Sequence, residues 1–239
     1  MKQTFLLVLA VTLLGTAFGQ TKKDWSKVVT SGASDHFMIS ISKDGWNGTP
    51  DSIDKRMSGF SRGLNIAFML NKPFKSDARL SVAFGLGISH SSIFFKKTDV
   101  ALRSSATLLP FTNLDSANHF KKYKLATTFL EAPVEIRYTA DPVNEKRSWK
   151  YALGVKVGTM VNAHTKGKTL ESKTSSTLNT YTEKESKTSF FNGTRLAATA
   201  RVGLGNFSVF GTYSITPLLK DFAGPSFRPY QLGLCISGL

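Results

Sequence analysis

Arg79-Leu80-Ser81-Val82-Ala83-Phe84-Gly85-Leu86-Gly87-Ile88-Ser89 alternates without a break. Leu80, Val82, Phe84, Leu86 and Ile88 take one face of an extended chain. Ser81, Ala83, Gly85, Gly87 and Ser89 take the other. The period is two, that of a β-strand. Wound as a helix, the same apolar residues would spread around the whole cylinder. The two faces also differ in kind, one large and apolar, the other small or polar.

The pattern recurs along the chain. Leu64, Ile66, Phe68 and Leu70 alternate with Gly63, Asn65, Ala67 and Met69. Trp149 to Val157, Leu196 to Leu204 and Tyr230 to Ile236 repeat it against Lys, Ala, Gly, Thr, Arg, Gln and Cys. His36 to Trp46, Lys124 to Thr139 and Phe207 to Thr216 complete a set of eight strands. A soluble sandwich or a lipocalin-like binding barrel hides its large apolar residues and exposes its charges. Here full charges share a face with Gly and Ala, which suits the cramped interior of a narrow barrel, so the large residues must face lipid. The expected fold is all-β, an eight-stranded antiparallel up-and-down transmembrane β-barrel.

The connections agree with this reading. Asn47 to Gly59, Lys97 to Tyr123 and Thr165 to Ser189 are long. Asn71 to Ala78, Ala140 to Arg147 and Gly205-Asn206 are short, and Leu218 to Arg228 is of middling length. Outer-membrane barrels have short periplasmic turns and long external loops, and a periplasmic N-terminus places every long loop outside. Thr165 to Ser189, rich in Ser, Thr and Lys, has too little apolar surface to fold alone and is expected to be mobile. Trp46, Phe94, Phe95, Tyr138, Trp149, Phe190, Phe191, Phe207 and Tyr230 fall near strand ends, as interfacial girdles do.

The N-terminus reads as an export signal. Lys2 precedes the apolar run Phe5 to Leu14, which is too short to span a bilayer as a helix, and Ala17-Phe18-Gly19 offers small residues for cleavage before Gln20. The expected domains are a signal peptide at 1–19, a short periplasmic tail at 20–34 and the outer-membrane barrel at 35–239. The formal net charge is +15. Export argues against nucleic acid as the partner of so basic a chain; its natural counterpart is an anionic lipopolysaccharide leaflet, the alternative being that the lysines simply keep the loops solvated. The lone Cys235 permits no internal disulfide and reads as a small core residue.

Phe129-Leu130-Glu131-Ala132-Pro133, followed by Val134 to Tyr138, resembles the central strand of the PorT-like outer-membrane β-barrel family of Bacteroidota. Gly211-Thr212-Tyr213-Ser214-Ile215-Thr216-Pro217-Leu218 is similar to that family's penultimate strand, and Tyr230-Gln231-Leu232-Gly233-Leu234 to its closing one. The resemblance implies a barrel in the outer membrane, inserted by the barrel-assembly machinery, and a secretion-system partner for those members that support protein secretion. The chain ends on Leu239, where many outer-membrane barrels close on an aromatic residue.

No residue pattern demands a cofactor or a metal. The histidines His36, His90, His119 and His164 lack metal-ligand spacing. Glu131 and Glu135 share a strand face, but positions four apart lie roughly 13 Å from each other, beyond the reach of a glycosidase pair at about 10 Å. The inward face is expected to hold Arg62, Glu131, Glu135, Arg137, Lys150, Lys156, Arg195 and Arg201, with Gln231, as a structural charge network, because an unpaired charge in a narrow barrel is costly. The lumen of eight strands is then filled rather than open, which disfavours a diffusion pore. His90-Ser91, at the outer end of the third strand, is the one dipeptide that suggests an outer-membrane lipid hydrolase, and no acid stands beside it at a telling spacing. Asn47-Gly48-Thr49 and Asn192-Gly193-Thr194 read as turn chemistry rather than glycosylation sites. The sequence thus points to a non-enzymatic barrel, structural, adhesive or secretion-supporting, that acts through long basic external loops.

Overall fold

The computed structural model describes residues 36–238. The expected signal peptide and periplasmic tail lie outside the described residues. Eleven strands are present among them: β1 Phe37–Asn47, β2 Arg62–Pro73, β3 Leu80–Phe95, β4 Thr98–Val100, β5 Phe111–Asn113, β6 His119–Thr139, β7 Trp149–Glu171, β8 Thr177–Ser186, β9 Thr194–Leu204, β10 Phe207–Ser214 and β11 Arg228–Ser237. One helical turn, α1, spans Asp51–Asp54.

Eight of the strands close a ring. Each of β1, β2, β3, β6, β7, β9, β10 and β11 pairs antiparallel with the next, and β11 returns to β1 through Met38↔Ser237 to Asn47↔Arg228. Closure satisfies the backbone polar groups that an open sheet would leave facing lipid. At one end the links are short: residues 74–79, residues 140–148, and the two-residue hairpin Gly205-Asn206. Gly205 sits at φ +60, and a Cβ there would lie 2.3 Å from the Lys146 carbonyl oxygen, so the turn requires glycine. Both ends of the barrel sequence, at Phe37 and Ser237, share this end. The opposite end carries the long connections and is the outer one by the rule for outer-membrane barrels.

Burial follows the alternation. Leu86, Leu153, Phe207 and Leu232 are each at least 60% exposed on the outer wall, while Ser81, Ala83, Glu131, Glu135, Arg137 and Arg201 are buried in the lumen. The apolar outward rows run from Leu80 to Ile88 on β3, Leu130 to Tyr138 on β6 and Trp149 to Val157 on β7. Nine residues of tilted strand match the ~25 Å apolar band of an outer-membrane barrel. A monomeric protein in water rarely exposes so large an apolar belt, which removes the lipocalin reading.

Two expectations fail at the outer end. Trp46, Phe95, Phe190 and Phe191 are not girdle residues. They are buried, with Val100, Leu102, Leu109, Leu218 and Phe227, in an apolar core built from the external connections. Trp46 stacks on Phe227 with ring centroids 4.4 Å apart. The cap is tied together by Leu109 N–H donating to the Ala223 carbonyl and by Tyr123 Oη meeting both backbone groups of Val100. Aromatic residues near a strand end satisfy either role, and alternation alone does not separate a lipid interface from a core above it.

Thr165 to Ser189 does not form a loose loop either. β7 continues past the membrane to Glu171 and β8 pairs back along it, Lys166 opposite Lys184 and Lys168 opposite Thr182. The segment has no core of its own, but it extends a barrel strand already in place. Phe120 meets Tyr181 edge-on across it at 5.7 Å. The small β4–β5 sheet lies within the connection between β3 and β6.

Candidate functional site

The lumen brings most of the expected charge network together. Glu131 accepts from Arg195 at 2.9 Å and lies 3.8 Å from Lys156. Glu135, two inward steps nearer the periplasm on the same strand, accepts from Arg137 at 2.9 Å and from Arg201 at 3.2 Å. Lys150, at the periplasmic rim, reaches Glu145 at 3.5 Å. Gly154 leaves room for this layer, since a Cβ there would lie 2.9 Å from the Glu135 Cγ. Nearer the outer end, Asp44 accepts from Ser42, Ser91 and Gln231, and Gln231 in turn accepts from Asn65. Asp44 was not among the expected lumen residues, although its inward position follows from the parity of Ser40 and Ser42.

Arg62 is a correction. It shares the outward parity of Leu64 and Ile66 and is exposed on the outer wall. Its guanidinium lies 5.5 Å from the Phe60 ring centroid and 5.4 Å from that of Phe94. Read by charge alone it belongs to the lumen; read by parity it cannot.

Among the described residues, a lumen cavity of about 40 Å³ lies beside Glu131, Glu135, Arg201, Phe210 and Cys235. That is room for a few waters rather than a solute path. Above it the apolar cap closes the outer mouth.

The outer surface is where charge stays unneutralised. On the outward face of the β6–β7–β8 extension, Lys124 faces Lys166, which faces Lys184, and Lys122 faces Lys168 one step further out. Residues so opposed have Cβ atoms roughly 5 Å apart, and like charges there destabilise the sheet. Glu183 and Glu185 fall opposite Gly167 and Thr165, on the other face. Among the described residues none of these five lysines is ion-paired. Burial, then Lys184 and Lys124, hold His164 down to about 4, so it is uncharged at neutral pH. Burial likewise lowers the Lys124 ammonium, with Lys166 and Arg62 adding to the effect.

The second outward feature is a groove of about 590 Å³ where β11, β1, β2, β3 and β6 pass the outer rim of the apolar band. Ile41, Leu64 and Leu234 form its apolar side, and Lys43, Arg62 and Lys124 its cationic one. His90 and Ser92 also line it.

A closed eight-strand ring with an apolar exterior and a charged, filled lumen defines a transmembrane β-barrel of the outer-membrane class. The chain matches the family described as the outer membrane protein beta-barrel domain over residues 18–220, and it belongs to that family. It is an outer-membrane β-barrel protein. Among curated proteins none matches. Among solved structures it is similar to Ail, the attachment invasion locus protein of Yersinia pestis, in complex with the heparin analogue sucrose octasulfate, at 15% identity over 84% of this chain and 95% of that one, with a TM-score of 0.36. A second crystal structure of Ail gives 15% identity, the same coverage and a TM-score of 0.31. The backbone structure of Ail in a phospholipid bilayer nanodisc gives 16% identity over 84% and 98% of the two chains, with a TM-score of 0.29.

Proposed function

We propose that this barrel is a structural and adhesive surface protein, whose working part is the ordered, basic head above the membrane. The observation that carries the reading is the double closure of the lumen, by ion pairs within and by an apolar cap above, combined with rows of unpaired lysines on the outer face of the β6–β7–β8 extension. A protein that conducts nothing and orders its external segments presents a surface. Across residues 48–61, 96–124, 164–193 and 215–228 there are 15 Lys and Arg against eight Asp and Glu, so the surface suits anionic glycans and the headgroups of the lipopolysaccharide leaflet. The resemblance of three strand motifs to those of PorT-like barrels supports a related role, in which the same head holds a component of a secretion system. Export through a cleaved signal peptide and insertion by the barrel-assembly machinery belong to this reading.

The test is adhesion. Cells displaying the wild-type barrel should bind a surface coated with sulfated polysaccharide, and binding should fall steeply as salt rises. The triple substitution Lys166→Gln, Lys168→Gln and Lys184→Gln should remove most of it while leaving the folded barrel in the membrane. Equal adhesion by wild type and the triple variant would contradict the proposal.

A further inference from the structure

The outward row of β3 changes character at the rim. After Leu80, Phe84, Leu86 and Ile88 come His90 and Ser92, then Phe94. Two polar side chains thus face outward between the lipid band and a girdle aromatic, which costs stability unless they are satisfied or used. They are tied to each other: His90 Nε2 lies 3.2 Å from Ser92 Oγ. On the neighbouring strand, Thr128 Oγ1 lies 3.0 Å from His90 Nδ1. A proton on Nδ1, donated to Thr128, leaves Nε2 free to accept from Ser92. Lys124 Nζ donates to Ser92 Oγ at 3.0 Å. This is a nucleophile within reach of a base, the base oriented by a third group, and a cation beside the reacting oxygen. Ser92 is buried at the floor of the groove described above, between an apolar side and a cationic one.

The geometry points to an esterase site for acylated, phosphate-bearing lipids of the outer leaflet, with Ser92 as nucleophile, His90 as base and Lys124 as oxyanion partner. Ile41, Leu64 and Leu234 would lie along the acyl chain, and Lys43 and Arg62 would hold the phosphate. Ser92 Oγ attacks the ester carbonyl carbon as His90 Nε2 takes its proton, and the oxyanion forms beside the Lys124 ammonium. Collapse breaks the carbonyl C–O bond. The alcohol leaves with the proton from His90, and the acyl group stays on Ser92. A water, deprotonated by His90, then releases the fatty acid, and the proton returns to Ser92. Thr128 is a positioning residue. Ser91, the neighbour that the His90-Ser91 dipeptide suggests, points inward and donates to Asp44. The inference rests on the barrel and its orientation, and not on the adhesive head.

The experiment uses the full barrel in nanodiscs, one set made with phosphatidylglycerol and one with added lipid A, with free fatty acid measured by mass spectrometry. Wild type should release fatty acid in at least one set, which tells glycerophospholipid from glycolipid, and a fluorophosphonate should label Ser92. Ser92→Ala and His90→Ala should each lower the rate by about 100-fold or more, and Ser91→Ala should leave it unchanged. Thr128→Val should lower kcat, with Thr128→Ser restoring it. Should the alanine variants fail to fold, the labelled peptide of the wild type decides. No release in either set from folded barrel, lipid retained but uncleaved, or release that survives in folded Ser92→Ala, would overturn the proposal.

Discussion

At the scale of the residue, parity decides what charge alone does not. Glu131 and Glu135 sit on the inward row and meet Arg195, Lys156, Arg137 and Arg201. Removing one member of such a pair strands the other in a low-dielectric lumen. Glu131→Ala should therefore cost about 3–5 kcal/mol. Arg62→Gln, on the exposed outer wall, should stay within about 0.5 kcal/mol. Both are measured by guanidinium unfolding of the barrel in micelles. Equal costs would return Arg62 to the lumen. The inward positions of Glu131, Glu135, Arg137, Lys150, Lys156, Arg195 and Arg201 were legible in the alternation. The misplacement of Arg62 came from grouping charges by type rather than by position. His90 and Ser92 were legible in the same way, since residues two apart share a face, but adjacency in sequence drew attention to Ser91.

At the scale of the element, the strands are long because they serve two environments. The first nine residues of β7 turn large apolar side chains to lipid, and the part beyond Asn162 turns lysines to water. The change of register between Thr128 and Phe129 of β6, opposite Val161 of β7, marks the transition. A bulge re-aims β7 there, so Lys166 and Lys168 face outward although Val155 and Val157 have the other parity, while Lys124 keeps the outward parity of Leu130 and Val134 on β6. That shift hid the extension from a period-two reading, which loses phase at an inserted residue, and low apolar content made the segment look unstructured. The barrel portion keeps its phase and gives a direct prediction. Phe84→Arg or Leu153→Arg near mid-bilayer should each cost about 2–4 kcal/mol, whereas Ser81→Thr in the lumen should be milder, as read from unfolding in lipid vesicles. Equal tolerance at Phe84 and Ser81 would contradict the orientation of the faces.

At the scale of the whole molecule, the barrel's strand count, its closure and the side of its long connections were all written in the alternation and the turn chemistry. The cap was not, because its core is assembled from residues far apart in sequence: Trp46, Phe95, Leu109, Phe191 and Phe227 come from four separate connections or strand ends. Short apolar runs in loops carry no period from which their partners follow. With its lumen charges paired and its mouth covered, the barrel leaves its outside, the head and the lipid rim, as the surfaces to which the proposed roles are assigned. The molecule is a closed barrel of the outer membrane, apolar face outward. The most direct measurement is gel mobility of a washed outer-membrane fraction in SDS, unheated against boiled. The expected result is a band in that fraction that runs faster when unheated, because a closed barrel resists the detergent until it is boiled. A protein found only in the soluble fraction, with the same mobility before and after heating, would contradict it.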